Sequence, residues 1–280
     1  MAKYRLPRRV KKEIQKRNKV LIEKYPFLFP RYAWTGKKVD DFDYSYNAIE
    51  GNIPQGWWKL FGIKLCEDLK NVCLENKVSL NDIIITDVKE KYGELRIYMS
   101  GYPKTWEEHE TAWEYISSHT CVKCGVFPVP IIDDGWVCPW CEECHKSENY
   151  NSLIIPDWDG RVLEYQVIKS YTPGNDDYKL TWIDMKPYYD KIGWKYNENN
   201  LILKAEIEES LRKEKEEAKA LHSEFHNVID ETDVALAFMR GDSVGPTMED
   251  TEELDLSEIP SSADLETAAT EELDFSELSN

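Results

Sequence analysis

Long apolar runs are absent from this chain. No segment approaches the eighteen consecutive apolar residues that a membrane-spanning helix requires. The first 24 residues are basic and lack the apolar core of a secretory signal peptide. These two absences predict a soluble, cytoplasmic protein with no membrane partner. Because thiols stay reduced in the cytoplasm, its seven cysteines are expected to favour metal binding over disulfide bonds.

Recognisable catalytic motifs are absent as well. The sequence has no Gly-rich phosphate loop, no nucleophile elbow and no dinucleotide fingerprint. Its five histidines are scattered and offer no obvious general base. His222 and His226 have the spacing of a metalloprotease helix, but Ser223 occupies the position of the catalytic glutamate. The sequence therefore favours a protein without enzymatic activity.

Positive charge is missing from the C-terminal segment. Residues 242–280 contain thirteen Asp and Glu and neither Lys nor Arg. Residues 1–24 show the opposite bias, with ten Lys and Arg against Glu13 and Glu23, a local charge of +8. The net charge of the chain is −18, which argues against its whole surface docking on nucleic acid. Such opposed ends indicate either two segments with separate partners or one segment that screens the other, and we expect the acidic one to be disordered in isolation.

Apolar periodicity predicts an α+β fold for the rest of the chain. Ten Trp and sixteen Tyr indicate a substantial core. Apolar residues three and four apart predict a helix over residues 57–76, with Cys66 and Cys73 on its buried face. Alternating residues over 83–99 predict an antiparallel hairpin whose turn lies at 89–93.

Further elements follow towards the C-terminus. Thr105 and Glu108 form a capping box that predicts a helix ending near Ser118. Strand-like residues over 153–196 predict a small sheet, either separate from the first hairpin or an extension of it. The predicted segments are a basic helical arm (1–24), an α+β domain (25–150) with a cysteine ribbon (121–144), a β-rich extension (151–200), a charged helix (201–240) and an acidic low-complexity tail (241–280).

The acidic tail contains one internal repeat. The eight residues from Thr251 to Glu258 recur with one substitution from Thr270 to Glu277. Acidic residues around a paired apolar anchor suit a segment that folds onto a basic, grooved partner. Random sequence change in a low-complexity segment produces short repeats equally well. The repeat is therefore either a binding motif or a chance product of composition.

Two Cys-x-x-Cys pairs form the strongest motif in the sequence. Cys121 and Cys124 are separated from Cys141 and Cys144 by sixteen residues. Four thiolates in this pattern can surround one tetrahedral Zn²⁺ at about 2.3 Å each. Gly125 fits such a knuckle, because the chain must turn back there without a Cβ. The pattern predicts a structural zinc site, which has no open coordination position for chemistry.

A fifth cysteine leaves the ligand set open. Cys138 forms a further Cys-x-x-Cys pair with Cys141, with thirteen residues between Cys124 and Cys138. Spacing favours Cys144 over Cys138 as the fourth ligand. Coordination by His145, or a disulfide bond in place of a metal, is also compatible with the sequence.

The hairpin, the helix after it and the cysteines together resemble a family of tailed-bacteriophage and bacterial proteins. The resemblance spans about residues 50–146. It is carried by Lys-Glu-Lys-Tyr-Gly-Glu-Leu-Arg-Ile-Tyr at 89–98, Thr-Cys-Val-Lys-Cys-Gly at 120–125, Gly-Trp-Val at 135–137 and Cys-Glu-Glu-Cys at 141–144. It implies a viral origin, and with it the host cytoplasm, and a four-cysteine zinc ribbon in which Cys138 is a variable position. It implies no activity.

These features together predict a zinc-stabilised binding protein. Its acidic tail is expected to engage a basic surface on a host or phage protein, and nucleic-acid-handling proteins are favoured because carboxylates imitate phosphate charge. A second hypothesis is a nucleic-acid-binding regulator that uses the basic arm and the zinc ribbon. A third is a metal-dependent nuclease with Asp87 and Lys89 in its active site. A structural protein of the virion is a further possibility.

Overall fold

A computed structural model describes residues 7–133, 137–148, 158–171 and 178–239, with side chains as far as residue 221. The fold is α+β, as predicted. Its helices are α1 (Arg8–Lys24), α2 (Gln55–Trp57), α3 (Ile63–Glu75), α4 (Trp106–Ser118), α5 (Glu142–Ser147), α6 (Lys186–Ile192) and α7 (Lys204–Met239). Its strands are β1 (Ile84–Lys91), β2 (Glu94–Ser100), β3 (Ile131–Asp133), β4 (Val137–Pro139), β5 (Val162–Leu163), β6 (Tyr165–Tyr171), β7 (Tyr178–Asp184) and β8 (Leu201–Ile202).

The predicted basic helix is present as α1 and is largely exposed. It begins directly after Pro7, and Asn18 and Ile22 are its buried residues. The helix ends before Pro26, which opens a 3₁₀ turn. Proline ends the helix there because its nitrogen carries no hydrogen for the helical hydrogen-bond ladder.

The predicted helix over 57–76 is present as a continuous helical segment. The short helix α2 leads into a π-helical turn (Trp58–Gly62) and then into α3. A Cβ on Gly62 would lie 2.3 Å from the ring of Trp58, so that this wide turn depends on glycine. Cys66 and Cys73 are completely buried, as the periodicity predicts.

Strands β1 and β2 form the predicted hairpin with a tighter turn than expected. Their pairing continues to Lys91 opposite Glu94, so the predicted turn over 89–93 is too long. The turn consists of Tyr92 and Gly93, with φ angles of 56° and 79°. Two consecutive positive φ angles match the two-residue turn that fits the twist of a hairpin.

Helix α4 is present, but it lacks the predicted capping box. Thr105 has a helical backbone instead of the extended conformation of a cap, and its side chain makes no capping hydrogen bond. Its hydroxyl instead accepts a hydrogen bond of 3.0 Å from the side-chain amide of Asn76. The helix ends at Ser118, three residues before Cys121.

The second β region is separate from the first hairpin. Strands β6 and β7 pair along all seven residues as an antiparallel two-stranded sheet of their own. Strands β5 and β8 form a short parallel pair. Residues 153–157 and 172–177 of the predicted strand-like segment lie outside the described residues.

An aromatic core connects these elements. Trp57, Phe61 and Trp113 are completely buried, and the rings of Phe61 and Trp113 stack with their centroids 5.6 Å apart. Tyr189 of α6 extends the core, and its hydroxyl donates a hydrogen bond of 2.6 Å to the carbonyl of Leu163. The core therefore packs the middle of α4 against the helical segment that contains Trp57 and Phe61.

The chain divides into two units, Met1–Lys215 and Glu216–Asn280. The core and all seven cysteines belong to the first unit. The predicted acidic tail lies outside the described residues. Within the described part of the chain, no helix combines the length and the apolar character that crossing a bilayer requires.

Candidate metal centre

Four cysteine sulfurs meet in the first unit. The Sγ atoms of Cys121, Cys124, Cys141 and Cys144 all lie within 4.8 Å of one another. The sulfurs of Cys124 and Cys141, which come from different pairs, are 3.7 Å apart. Ligands about 2.3 Å from a tetrahedral ion are about 3.8 Å apart. The four are free thiols, and their spacing is that of a metal site.

The first cysteine pair lies in the loop that leaves α4. The backbone N–H of Cys121 donates to the carbonyl of Val126 at 2.9 Å, and that of Gly125 donates to the carbonyl of Cys121 at 3.0 Å. Gly125 has a φ angle of +81°, which glycine adopts at no steric cost. The loop therefore turns back as the sequence predicts, and its sulfurs face the second pair.

The second cysteine pair lies at the N-terminus of α5, directly after the β3–β4 hairpin, with Cys144 inside the helix. Cys141 caps the N-terminus of α5, and its sulfur accepts a hydrogen bond of 3.4 Å from the backbone N–H of Cys144. The two pairs are also joined through the backbone, because the N–H of Val122 donates to the carbonyl of Pro139 at 3.1 Å. These contacts hold the two loops together independently of the sulfurs.

A glycine in α2 fixes the first loop to the core. The N–H of Gly56 donates to the carbonyl of Val122 at 2.9 Å, and a Cβ on Gly56 would lie 2.1 Å from the carbonyl oxygen of Cys121. The indole of the buried Trp57 donates to the carbonyl of Thr120 at 2.8 Å. The cysteine loop thus contacts α2 at backbone distance.

The environment of the thiols suits a cation. Burial raises the pKa of Cys141 and of Cys144. Burial acts in the same direction on Cys121, but hydrogen bonds from backbone N–H groups, first that of Cys124, lower its pKa to about 7. Thiols packed this closely oppose one another's ionisation, and a divalent ion relieves that repulsion.

Zinc fits this set of donors. Four thiolates at tetrahedral spacing are the typical ligands of structural zinc, whereas Mg²⁺ and Ca²⁺ take oxygen ligands. Cys121 is buried and the other three cysteines are half-buried. Four protein ligands fill a tetrahedral ion completely, so a metal here would join the loop after α4 to α5 and could not bind substrate.

Neither Cys138 nor His145 belongs to the group of four sulfurs. Cys138 is buried on β4, opposite Ile132 of β3. His145 is buried on α5, with its ring 6.1 Å from the ring of Trp140. The structure thus places Cys144 beside the other three sulfurs.

The residues considered for a nuclease are not gathered around a metal position. Asp87 and Lys89 lie on β1 and form an ion pair with each other, and both side chains are about half exposed. Among the described residues, the four cysteines are the one group of three or more potential ligand side chains close enough to share an ion. The side chains of His222 and His226 lie outside the described part.

Asp68 is a buried polar residue that the sequence pattern does not single out. Its carboxylate accepts a hydrogen bond of 2.9 Å from the indole of Trp113, lies 2.9 Å from Nδ1 of His109 and pairs with Lys191. Burial alone would raise the pKa of Asp68, but His109 and Lys191 lower it below its ordinary value. The signal in the sequence is an acidic residue beside Leu69 on the apolar face of the predicted helix.

Comparison with known proteins adds no assignment. No family model, no curated protein and no solved structure matches the chain. The four-sulfur cluster is therefore the observation with the most functional content, because its spacing and its donor chemistry agree with each other.

Proposed function

We propose that this chain is a zinc-stabilised binding protein without enzymatic activity, in which Cys121, Cys124, Cys141 and Cys144 hold one structural Zn²⁺. The group of four sulfurs within 4.8 Å of one another carries the proposal. A closed site of four thiolates stabilises a fold and leaves no position for substrate. Because α4 is packed in the core, the ion ties α5 to that core, and metal binding and folding depend on each other.

The acidic tail is the proposed binding segment. Residues 242–280 carry thirteen carboxylates and neither Lys nor Arg. The charge of such a segment suits a basic surface on a partner. Proteins that handle nucleic acid present such surfaces. The resemblance of residues 50–146 to phage proteins supports a phage-encoded chain with a host or phage protein as its partner.

Removal of the tail, or of its charge, tests whether the tail binds such a partner. The experiment compares three tagged chains: the full chain, a chain ending at Gly241, and a chain whose Asp and Glu at 242–280 are replaced by Asn and Gln. We expect the full chain alone to retain a basic nucleic-acid-handling protein from expressing or infected cells, and salt to weaken the complex. The same captured proteins from all three chains would contradict the role of the tail. Zinc content of one ion per chain in all three would separate that failure from the metal proposal.

A further inference from the structure

The eight Lys and Arg of α1 fall into two sets according to their partners. Four pair with carboxylates: Arg9 with Glu13, Lys11 with Asp43, Arg17 with Glu50 and Lys24 with Glu67. The other four are exposed and make no ion pair with any residue that the structure describes. These four, named the basic stripe, are Arg8, Lys12, Lys16 and Lys19.

The basic stripe follows one side of the helix. At 3.6 residues per turn its four members lie within an arc of about 80°, and at 1.5 Å per residue they span about 16 Å. A shallow groove of about 500 Å³ is lined by Arg8, Lys12 and Lys16 together with Arg9 and Glu13. A different face holds the helix to the body, through the buried residues Asn18 and Ile22. The stripe is therefore a row of cations on the outside of the protein, with its spacing set by the helix backbone.

A row of cations without ion-pair partners among the described residues suits a ligand that carries many negative charges. Like charges at i and i+4 repel each other on a helix, and bound anions relieve that repulsion. A membrane surface fits poorly, because an interfacial helix needs a broad apolar face and the exposed large apolar residues of α1 are Val10 and Val20. Phosphates of a nucleic acid need no apolar face.

The groups of the stripe suit phosphate more than bases. Its members are Lys and Arg, which bind phosphate at any sequence and among the bases favour guanine alone. The nearby amides, which could contact adenine, are occupied: Gln15 donates to Asp43 at 3.2 Å and Asn18 donates to the carbonyl of Tyr44 at 3.0 Å. Contacts to phosphate position a protein on a duplex without sequence information. A row of cations with helical spacing suits a duplex better than a single strand, because a duplex also holds its phosphates at regular positions.

We propose that the basic stripe of α1 docks on the phosphate backbone of duplex nucleic acid, independently of base sequence. The acidity of the chain does not oppose this, because the thirteen carboxylates of residues 242–280 account for most of it: without them the net charge changes from −18 to −5. The docking surface goes beyond the proposed function and requires neither the metal nor the tail.

Binding of the full-length protein to a labelled duplex of mixed sequence tests the stripe. We expect the logarithm of the association constant to fall linearly with the logarithm of salt concentration, with a slope of about −3.6 for four cations. The single substitution Lys16→Gln should make that slope less steep by about 0.9. A variant with all four members of the stripe replaced by Gln should lose binding at low salt.

A charge-matched variant is the control. It replaces four exposed lysines outside α1, so that its net charge equals that of the stripe variant: Lys59→Gln, Lys104→Gln, Lys179→Gln and Lys195→Gln. This control should keep the wild-type slope, and unchanged circular dichroism should show that both variants are folded. Equal losses in the two variants would overturn the proposal. So would the absence of duplex binding by the wild type at low salt, or tighter binding to a single strand or to anionic vesicles than to the duplex.

Discussion

Glu110 is a carboxylic acid whose surroundings disfavour its charged form. It lies half-buried on α4, one turn before Glu114, whose carboxylate is 2.8 Å from the guanidinium of Arg96 on β2. Burial raises the pKa of Glu110 to about 7, Glu114 and Glu107 add to the rise, and Arg96 opposes it. Because Arg96 already pairs with Glu114, ionisation of Glu110 adds a carboxylate with no ion-pair partner among the described residues.

The substitution Glu110→Gln should therefore stabilise the protein at alkaline pH. The pKa in the folded protein lies above the ordinary value of 4.5, so the contribution of Glu110 to stability is complete below pH 4.5 and is lost as pH rises towards 7. At pH 8 we expect the variant to exceed the wild type in free energy of unfolding by about 1–2 kcal/mol, allowing for partial solvation. At pH 4 the two should agree. Urea unfolding at both pH values measures this.

Glu75→Gln is the control, because Glu75 is exposed at the end of α3. Its free energy of unfolding should follow the wild type at both pH values. A stabilisation by Glu110→Gln that is equal at pH 4 and pH 8 would show that the effect does not come from the charge of Glu110.

At the scale of elements, the contact between α2 and the cysteine loop joins the metal centre to the core. A Cβ on Gly56 would lie 2.1 Å from the carbonyl oxygen of Cys121, and a Cβ on Gly125 would lie 2.5 Å from the carbonyl oxygen of Gly56. Both atoms belong to backbone, which cannot move aside as a flexible side chain can. The two glycines therefore set the distance between the helix and the loop.

Gly56→Ala should destabilise the protein, although alanine is ordinarily the better helix former. The added methyl group forces the cysteine loop away from α2, and we expect the free energy of unfolding to fall by about 3 kcal/mol. Thermal unfolding with measurement of bound zinc checks both consequences. Gly51→Ala is the control, because a Cβ at Gly51 meets nothing within 4 Å. If the two variants unfold alike, the close contact does not fix the loop.

At the scale of the whole molecule, local sequence patterns predict helices and strands, whereas contacts between distant parts of the chain cannot be predicted from them. The period of 3.6 and the alternation of strands are properties of neighbouring residues, which is why the helix over 57–76, with its buried Cys66 and Cys73, and the first hairpin follow from the sequence. Asp68, by contrast, contacts His109, which is 41 positions away along the chain, and Lys191, which is 123 positions away. The hydrogen bond from Asn76 that replaces the cap at Thr105 is likewise tertiary.

The candidate metal centre is predictable to a similar extent. Spacing favours Cys121, Cys124, Cys141 and Cys144, and the structure brings these four sulfurs together. Spacing alone could not decide whether Cys138 is a ligand. Its place in the structure depends on the β3–β4 pairing, which sets Cys138 opposite Ile132. The contact of the cysteine loop with α2 could not be predicted from the sequence either, since the two segments are more than sixty residues apart.

Elemental analysis of purified protein shows whether the four cysteines hold zinc. We predict one zinc per chain in the wild type and in Cys138→Ser, and loss of both zinc and stability in Cys121→Ser and Cys144→Ser. Wild-type protein that folds without zinc, or a Cys144→Ser variant that keeps its zinc while Cys138→Ser loses it, would contradict the account.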